Sequence, residues 1–242
     1  MNKYVLAVLS VLLIVPFTTL RAQTMSNEEM AGGGMADMFV HPFLAHMGLP
    51  DVPKEVSLRI TGFRSRLEGM TQGDFAVHIE AGLLRNLGLH IRADGIQYED
   101  YSEVMLQYAV LADKELRNGI SVFGQLSIPT GEVKSDTYKG LFGASGRLTF
   151  PNLVVWDGDV HYDPKDKMVE YENAFVFKAN EKFYPILEIR GHITEEMKEA
   201  YVLPAIKFRI DEHKAFGVGV QIAITDNREF DSQALLTYDI AF

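Results

Sequence analysis

The sequence predicts an all-β protein: an antiparallel up-and-down transmembrane β-barrel of about 12 strands, preceded by an N-terminal periplasmic arm. Three observations support this fold. From residue 55 to the C-terminus, apolar and polar residues alternate with a period of two. The alternating segments are about 10 residues long, which is the length that lets a tilted strand cross a bilayer. Many aromatic residues, among them Phe75, Trp156, Tyr238 and Phe242, share the apolar face, several of them near strand ends.

The composition is consistent with this fold and excludes several others. The 242 residues include no cysteine, so a disulfide-stapled scaffold and a Cys-ligated zinc or iron–sulfur site are excluded. A formal net charge of −10 argues against a nucleic-acid partner, which needs a basic surface. Mean hydropathy is close to zero. A soluble globular protein has this average, and so does a barrel with one lipid-facing and one lumen-facing half.

Residues 1–22 predict a cleaved secretory signal peptide. Lys3 precedes an apolar run from Val5 to Phe17, and Ala22 provides a small residue for cleavage. The alternative is a retained transmembrane anchor, but spanning a bilayer as a helix takes roughly 20 apolar residues. The chain is therefore expected to be exported, and its barrel to lie in the bacterial outer membrane.

Residues 23–54 form an arm that carries half of the ten methionines. Thioether and imidazole groups together suit a soft metal such as copper. One interpretation is therefore a soft-metal site with the candidate ligands Met35, Met38, His41, His46 and Met47. The other interpretations are a linker, a docking peptide or a periplasmic plug, in which the methionines serve as adaptable packing material.

Residues 55–242 are predicted to form the barrel. The alternation divides them into twelve strands at approximately 55–66, 73–83, 86–95, 103–113, 118–128, 138–149, 152–163, 167–178, 183–193, 200–211, 214–225 and 232–242. Most connectors are a few turn-like residues long, which indicates antiparallel pairing of neighbours. The alternative is a soluble periplasmic barrel or sandwich, with a binding or structural role, whose apolar face points inward.

The polar face is rich in ionisable side chains, which in a transmembrane barrel line the lumen. The predicted lumen-lining residues are His78, Glu80, Arg92, Arg147, Asp157, Asp159, His161, Glu170, Glu172, Glu188, Arg190, His192, Lys207 and Arg209. The histidines are expected to act as hydrogen-bonding partners. The acidic residues between 157 and 172 fall on two neighbouring strands and predict an anionic wall opposite the cations Arg190, Lys207 and Arg209. Such walls can create a field for permeation, pair with one another and plug the lumen, or hold a discrete cation.

Two segments resemble known barrels. The last nine residues, ALLTYDIAF with Tyr238 and the terminal Phe242, resemble the C-terminal signature that the barrel assembly machinery reads in bacterial outer-membrane proteins. Residues 123–131, FGQLSIPTG, are similar to the strand and Pro-Thr-Gly turn of the barrel family associated with the meta-pathway of phenol degradation. The resemblance implies a channel for small solutes in contact with outer-membrane lipids. The methionine-bearing arm is not part of that family's pattern.

Catalytic motifs are missing from the sequence. None of the seven histidines has a serine two positions later, as the phospholipase barrels do, and neither Gly-x-Ser-x-Gly nor His-Glu-x-x-His occurs. Ser145 lies in a glycine-rich strand, which predicts close approach of strands or of the arm. We therefore predict no enzymatic activity and no cofactor. The predicted function is an outer-membrane channel or transport-associated barrel for small solutes, with the arm as the candidate for copper-type metal handling.

Overall fold

A computed structural model describes residues 41–93, 101–113, 118–130, 138–150 and 154–242. These residues form a closed barrel of twelve antiparallel strands, in which each strand pairs with its neighbours in sequence and β1 pairs with β12. The strands are β1 Val56–Leu67, β2 Met70–Leu84, β3 Leu87–Ala93, β4 Tyr101–Ala112, β5 Gly119–Pro129, β6 Lys139–Phe150, β7 Val154–Asp163, β8 Met168–Phe177, β9 Phe183–Ile193, β10 Lys198–Arg209, β11 Lys214–Ala223 and β12 Ser232–Ala241. The predicted fold class is confirmed.

The predicted signal peptide and the candidate metal ligands Met35 and Met38 lie outside the described residues. Among the residues that are described, no helix is long and apolar enough to cross a membrane.

The barrel closes where the first and last strands meet. The backbone N–H of Phe242 donates to the carbonyl of Val56 at 2.9 Å, so β1 begins at the end of the barrel where β12 finishes. The β1–β2 turn has positive φ at Glu68 and Gly69, as a two-residue type I′ hairpin requires. Among the connectors that the structure describes in full, the longest, 224–231, lies at the same end as this turn.

The outer face of the wall is apolar and exposed. On β5, Ile120, Val122 and Leu126 are 38%, 46% and 45% exposed, and they alternate with the buried Ser121, Phe123, Gln125 and Ser127. The outward residues of β11 and β12 are likewise apolar, and Phe242 is 67% exposed. A belt of this kind on every side suits a lipid solvent rather than water.

Residues 41–53, which we call the inner segment, lie inside the barrel. Phe43 and Leu49 are almost completely buried, and Pro53 forms a bridge with Gly82 of β2. Phe43 packs into an apolar cluster formed by inward-facing side chains of β7 to β12: Val155, Val176, Tyr184, Ile186, Leu203, Ala205, Ala215 and Leu235. The alternation predicts a polar inner face, but the inner face is not uniformly polar. Part of it is apolar because it packs against the inner segment.

Candidate functional site in the barrel interior

The inner segment is held chiefly through its peptide groups, because a closed wall offers no free strand edge to pair with. Glu188 of β9 accepts hydrogen bonds from three consecutive backbone N–H groups, those of Phe43, Leu44 and Ala45. Leu44 lies 3.1 Å from both carboxylate oxygens. A carboxylate that gathers three peptide donors is a strong anchor, since hydrogen bonds to a charged acceptor are the stronger kind.

Two further carboxylates continue this pattern along the inner segment. The N–H of His46 donates to Glu172 of β8 at 3.0 Å, and the N–H of Gly48 donates to Asp157 of β7 at 2.8 Å. Three neighbouring strands thus each supply one buried carboxylate to the backbone between residues 43 and 48. The sequence identified these carboxylates as inward-facing but gave no indication of their partner.

The carbonyl groups of the inner segment meet donors from the strands on either side of these three. Ser121 and Ser145 donate to the carbonyl of Gly48 at 2.7 and 3.1 Å, and Gln107 donates to the carbonyl of Met47 at 2.8 Å. The cations do the same: Arg59 donates to Phe43 at 3.1 Å, and Lys207 donates to Pro42 at 3.1 Å. The prediction that small residues around Ser145 allow the arm to approach closely agrees with this contact.

Gly48 marks the closest approach of the inner segment to the wall. A Cβ at this position would overlap the carbonyl of Gly146 on β6, so only glycine fits there. The segment is therefore seated by shape as well as by hydrogen bonds.

The predicted opposition of an anionic and a cationic wall is wrong. In the antiparallel register of β9 and β10, Arg190 lies opposite Tyr201, whereas Lys207 lies opposite Tyr184, six positions and roughly 20 Å further along the strand. Arg190 instead contacts Glu172 at 3.5 Å. Arg209 sits at the end of β10, where its Nε donates to the carbonyl of Asp211.

The remaining predicted lumen residues fall into two sets. A cavity of about 540 Å³ lies between the inner segment and the turns at the end of the barrel away from the termini. Its lining includes Leu44 and the predicted residues His78, Arg92, Glu170, Glu172, Arg190 and His192. The second set is buried against the inner segment or in ion pairs. It comprises Glu80, Arg147, Asp157, Asp159, His161, Glu188 and Lys207.

The ion pairs inside the barrel join side chains on one strand or on strands no more than two apart. Asp239 on β12 lies 2.9 Å from Arg59 and 3.4 Å from Lys207. His161 on β7 lies 3.1 Å from Asp159 and 3.3 Å from Glu170. The interior charges are therefore largely engaged with each other or with the inner segment.

The two described histidines of the predicted soft-metal set do not converge. His46 groups with His78 and His90, whereas His41 groups with Asp51 and Glu80. The sulfur of Met47 is contacted instead by Arg147 at 3.7 Å. Burial lowers the pKa of the His46 imidazole to about 3, so this ring is neutral at physiological pH.

Comparison with known proteins gives similarity at the level of the fold. No family model matches the sequence, and no curated protein matches it. Among solved structures, the KdgM porin is 11% identical with a TM-score of 0.61, over 77% of this chain and 99% of that one. An outer-membrane channel from Pseudomonas putida F1 is 10% identical with a TM-score of 0.58, over 84% and 100%. The NanC porin is 9% identical with a TM-score of 0.55, over 76% and 98%.

These three neighbours are bacterial outer-membrane barrels. The resemblance to such barrels that the C-terminal segment indicates is therefore confirmed at the level of the fold. A further structure of the KdgM porin is a complex with disordered oligogalacturonate. At such low identity the likeness concerns the architecture, and function has to be argued from this chain's own interior.

Proposed function

We propose that this chain is an outer-membrane channel for small polar solutes, in which the inner segment controls passage. The observation that carries the proposal is the combination of a closed, apolar-belted wall with a solute-sized cavity whose floor includes Leu44 of the inner segment. The start of β1 and the end of β12 then face the periplasm, and the inner segment enters the lumen from that side.

The exposed apolar belt supports a membrane location over the soluble alternative. In a soluble barrel the apolar side chains would point inward and the ionisable ones outward. Here Glu188, Asp157 and Lys207 are almost completely buried, while Leu106 and Leu236 are 50% and 54% exposed. Outer-membrane lipids are the partner that this surface fits, and the terminal Phe242 stays our candidate for recognition by the assembly machinery.

The cavity supports a polar solute of small size. Its lining carries both signs of charge, with Arg92, Arg190 and Lys139 beside Glu170 and Glu172. Volumes of this order accommodate small organic molecules. We infer that the solute is a small polar or zwitterionic molecule. Catalysis is not part of the proposal, and copper binding by the arm stays a prediction because two of its candidate ligands lie outside the described residues.

Planar-bilayer recording of the full-length protein tests the proposal, after a heat-dependent gel shift has verified folding. We expect stepwise conductance from the wild type, and larger or longer openings from a variant that lacks residues 41–49. The deletion removes the floor of the cavity but leaves every strand intact. Folded protein that conducts in neither form would contradict a channel function, and recovery of the protein without detergent would contradict the membrane location.

A further inference from the structure

Three buried histidines meet where the inner segment touches the wall. His46 comes from the inner segment, His78 from β2 and His90 from β3, and one ring nitrogen of each lies within 4.8 Å of the others. The ring centroids are 5.8 to 6.2 Å apart. All three residues are at most 7% exposed. Residues that are distant in sequence are thus gathered around one point.

The hydrogen bonds of Gln107 fix the proton on His90. The amide nitrogen of Gln107 faces the carbonyl of Met47 at 2.8 Å and the hydroxyls of Ser121 and Ser145 at 3.0 Å, so it is the donor. Its oxygen therefore faces Nε2 of His90, 3.2 Å away, and accepts that proton. This leaves Nδ1 of His90 with a lone pair, and that atom is buried without a hydrogen-bond partner.

Glu80 lies beside the ring of His78, in a close contact rather than a hydrogen bond. Its Oε1 lies 3.4 Å from Nδ1 of His78, and the negative charge favours the proton of that ring on this nitrogen. Nε2 of His78 then carries a lone pair, and it too is buried without a partner. The Nδ1 atom of His46 is likewise buried without a hydrogen-bond partner.

These orphaned acceptors require an explanation. A buried polar atom without a partner destabilises the folded state, and native proteins leave few such atoms. Nδ1 of His90 also lies 3.7 Å from Oε1 of Glu80, so two acceptors face each other. A cation bound among the rings resolves all of these conflicts at once, since neutral imidazole nitrogens and a carboxylate are metal ligands.

We propose that His46, His78 and His90 bind one divalent transition-metal ion of the zinc type, with Glu80 as the neighbouring carboxylate that orients and neutralises the site. Three imidazoles favour such an ion over Ca²⁺ or Mg²⁺, which prefer oxygen ligands. Ligand nitrogens around a tetrahedral zinc ion are separated by roughly 3.3 Å, so the rings need to approach one another by no more than about 1.5 Å.

The site joins the inner segment to the barrel wall, so a bound ion would cross-link the two. One ligand lies on the segment and two lie on the β2–β3 hairpin, so a bound ion fixes the segment inside the barrel. Glu80 also belongs to the second group, with His41 and Asp51, which extends the contact toward the start of the segment. The metal site does not depend on whether the barrel conducts.

Zinc titration of the purified full-length protein tests this site. Metal is first removed with a chelator, and the protein is then titrated with Zn²⁺ in competition with a chromophoric zinc indicator. We expect one saturable site per chain. His46→Gln, His78→Gln and His90→Gln should each weaken its affinity at least 100-fold. His213→Gln, in the exposed β10–β11 turn, is the matched control and should leave the affinity within twofold of wild type.

A second readout separates this site from adventitious binding. Co²⁺ in a site with three imidazole ligands gives visible absorption bands typical of low coordination number, and these should vanish in the three variants but persist in the control. His46 lies outside the strands, so barrel closure, verified by the gel shift, does not depend on it. Equal affinity in the wild type and the His46→Gln and His90→Gln variants, or no saturable binding at all, would overturn the proposal.

Discussion

Replacing Glu188 by glutamine should release the inner segment from the barrel interior. The carboxylate accepts hydrogen bonds from the peptide N–H groups of Phe43, Leu44 and Ala45. Glutamine keeps one acceptor oxygen but turns the other into an NH₂ group that faces N–H donors. The change therefore preserves shape while it removes the charge and makes part of the contact repulsive.

The expected magnitude follows from the number of bonds affected. A hydrogen bond to a charged group contributes about 1.5–3 kcal/mol. Loss of at least one such bond, with weakening of the others, should cost about 2–4 kcal/mol of docking free energy. Because each 1.4 kcal/mol is a factor of about ten, the undocked fraction should rise roughly 30-fold to 1,000-fold.

Thiol labelling can measure that fraction. The chain contains no cysteine, so Ala45→Cys introduces a unique probe at a position that is 1% exposed. The thiol reacts with a maleimide only when the segment leaves the interior, and with fast opening the labelling rate follows the undocked population. Glu188→Gln should accelerate labelling at least 30-fold.

The control is Glu195→Gln in the same Ala45→Cys background. It makes the same chemical change at an exposed position between β9 and β10. If labelling of the Glu188→Gln protein stays within threefold of both the parent and this control, the carboxylate does not hold the segment, and the hydrogen-bonded anchor is refuted.

Two further predictions concern the fit of the segment and the solvent of the outer face. Gly48→Ala should accelerate labelling of the same probe at least tenfold because its Cβ overlaps the carbonyl of Gly146, whereas Gly62→Ala, whose Cβ meets nothing within 4 Å, should not. Equal rates in the two variants would show that the close approach does not seat the segment. Leu106→Arg, near the middle of β4, should lower the free energy of unfolding in lipid vesicles by about 2–4 kcal/mol. An unchanged free energy in denaturant titration would mean that this face does not contact lipid.

The strands could be predicted from the sequence because alternate residues of a half-buried strand face two different environments, so apolar and polar residues alternate along it. The span 232–242 was predicted and Ser232–Ala241 is observed, and the predicted 183–193 matches β9. The largest difference is at β2, which begins at Met70 instead of residue 73. The residues before Asp74 are exposed on both faces, so the alternation gave no signal there.

The interior could be predicted only in part. Alternation places Glu188 and Glu172 inside, but their partners are peptide groups 145 and 126 residues away, and such contacts leave no periodic trace. The erroneous cationic wall has a related cause. The alternation predicts which face of the sheet a side chain lies on. The position of that side chain along the barrel axis depends on the strand register, and the register places Arg190 and Lys207 far apart.

The inner segment explains part of the excess of acidic residues in the sequence. Peptide groups inside a closed barrel must find partners, and the wall's own backbone is already paired. Asp157, Glu172 and Glu188 supply those partners along one side of the segment. While the segment is docked, these carboxylates are occupied by N–H groups. On the proposed channel function, undocking turns these three acceptors toward the lumen, where Glu172 keeps Arg190 and Asp157 keeps Arg147 as neighbouring cations, 3.5 and 3.8 Å away.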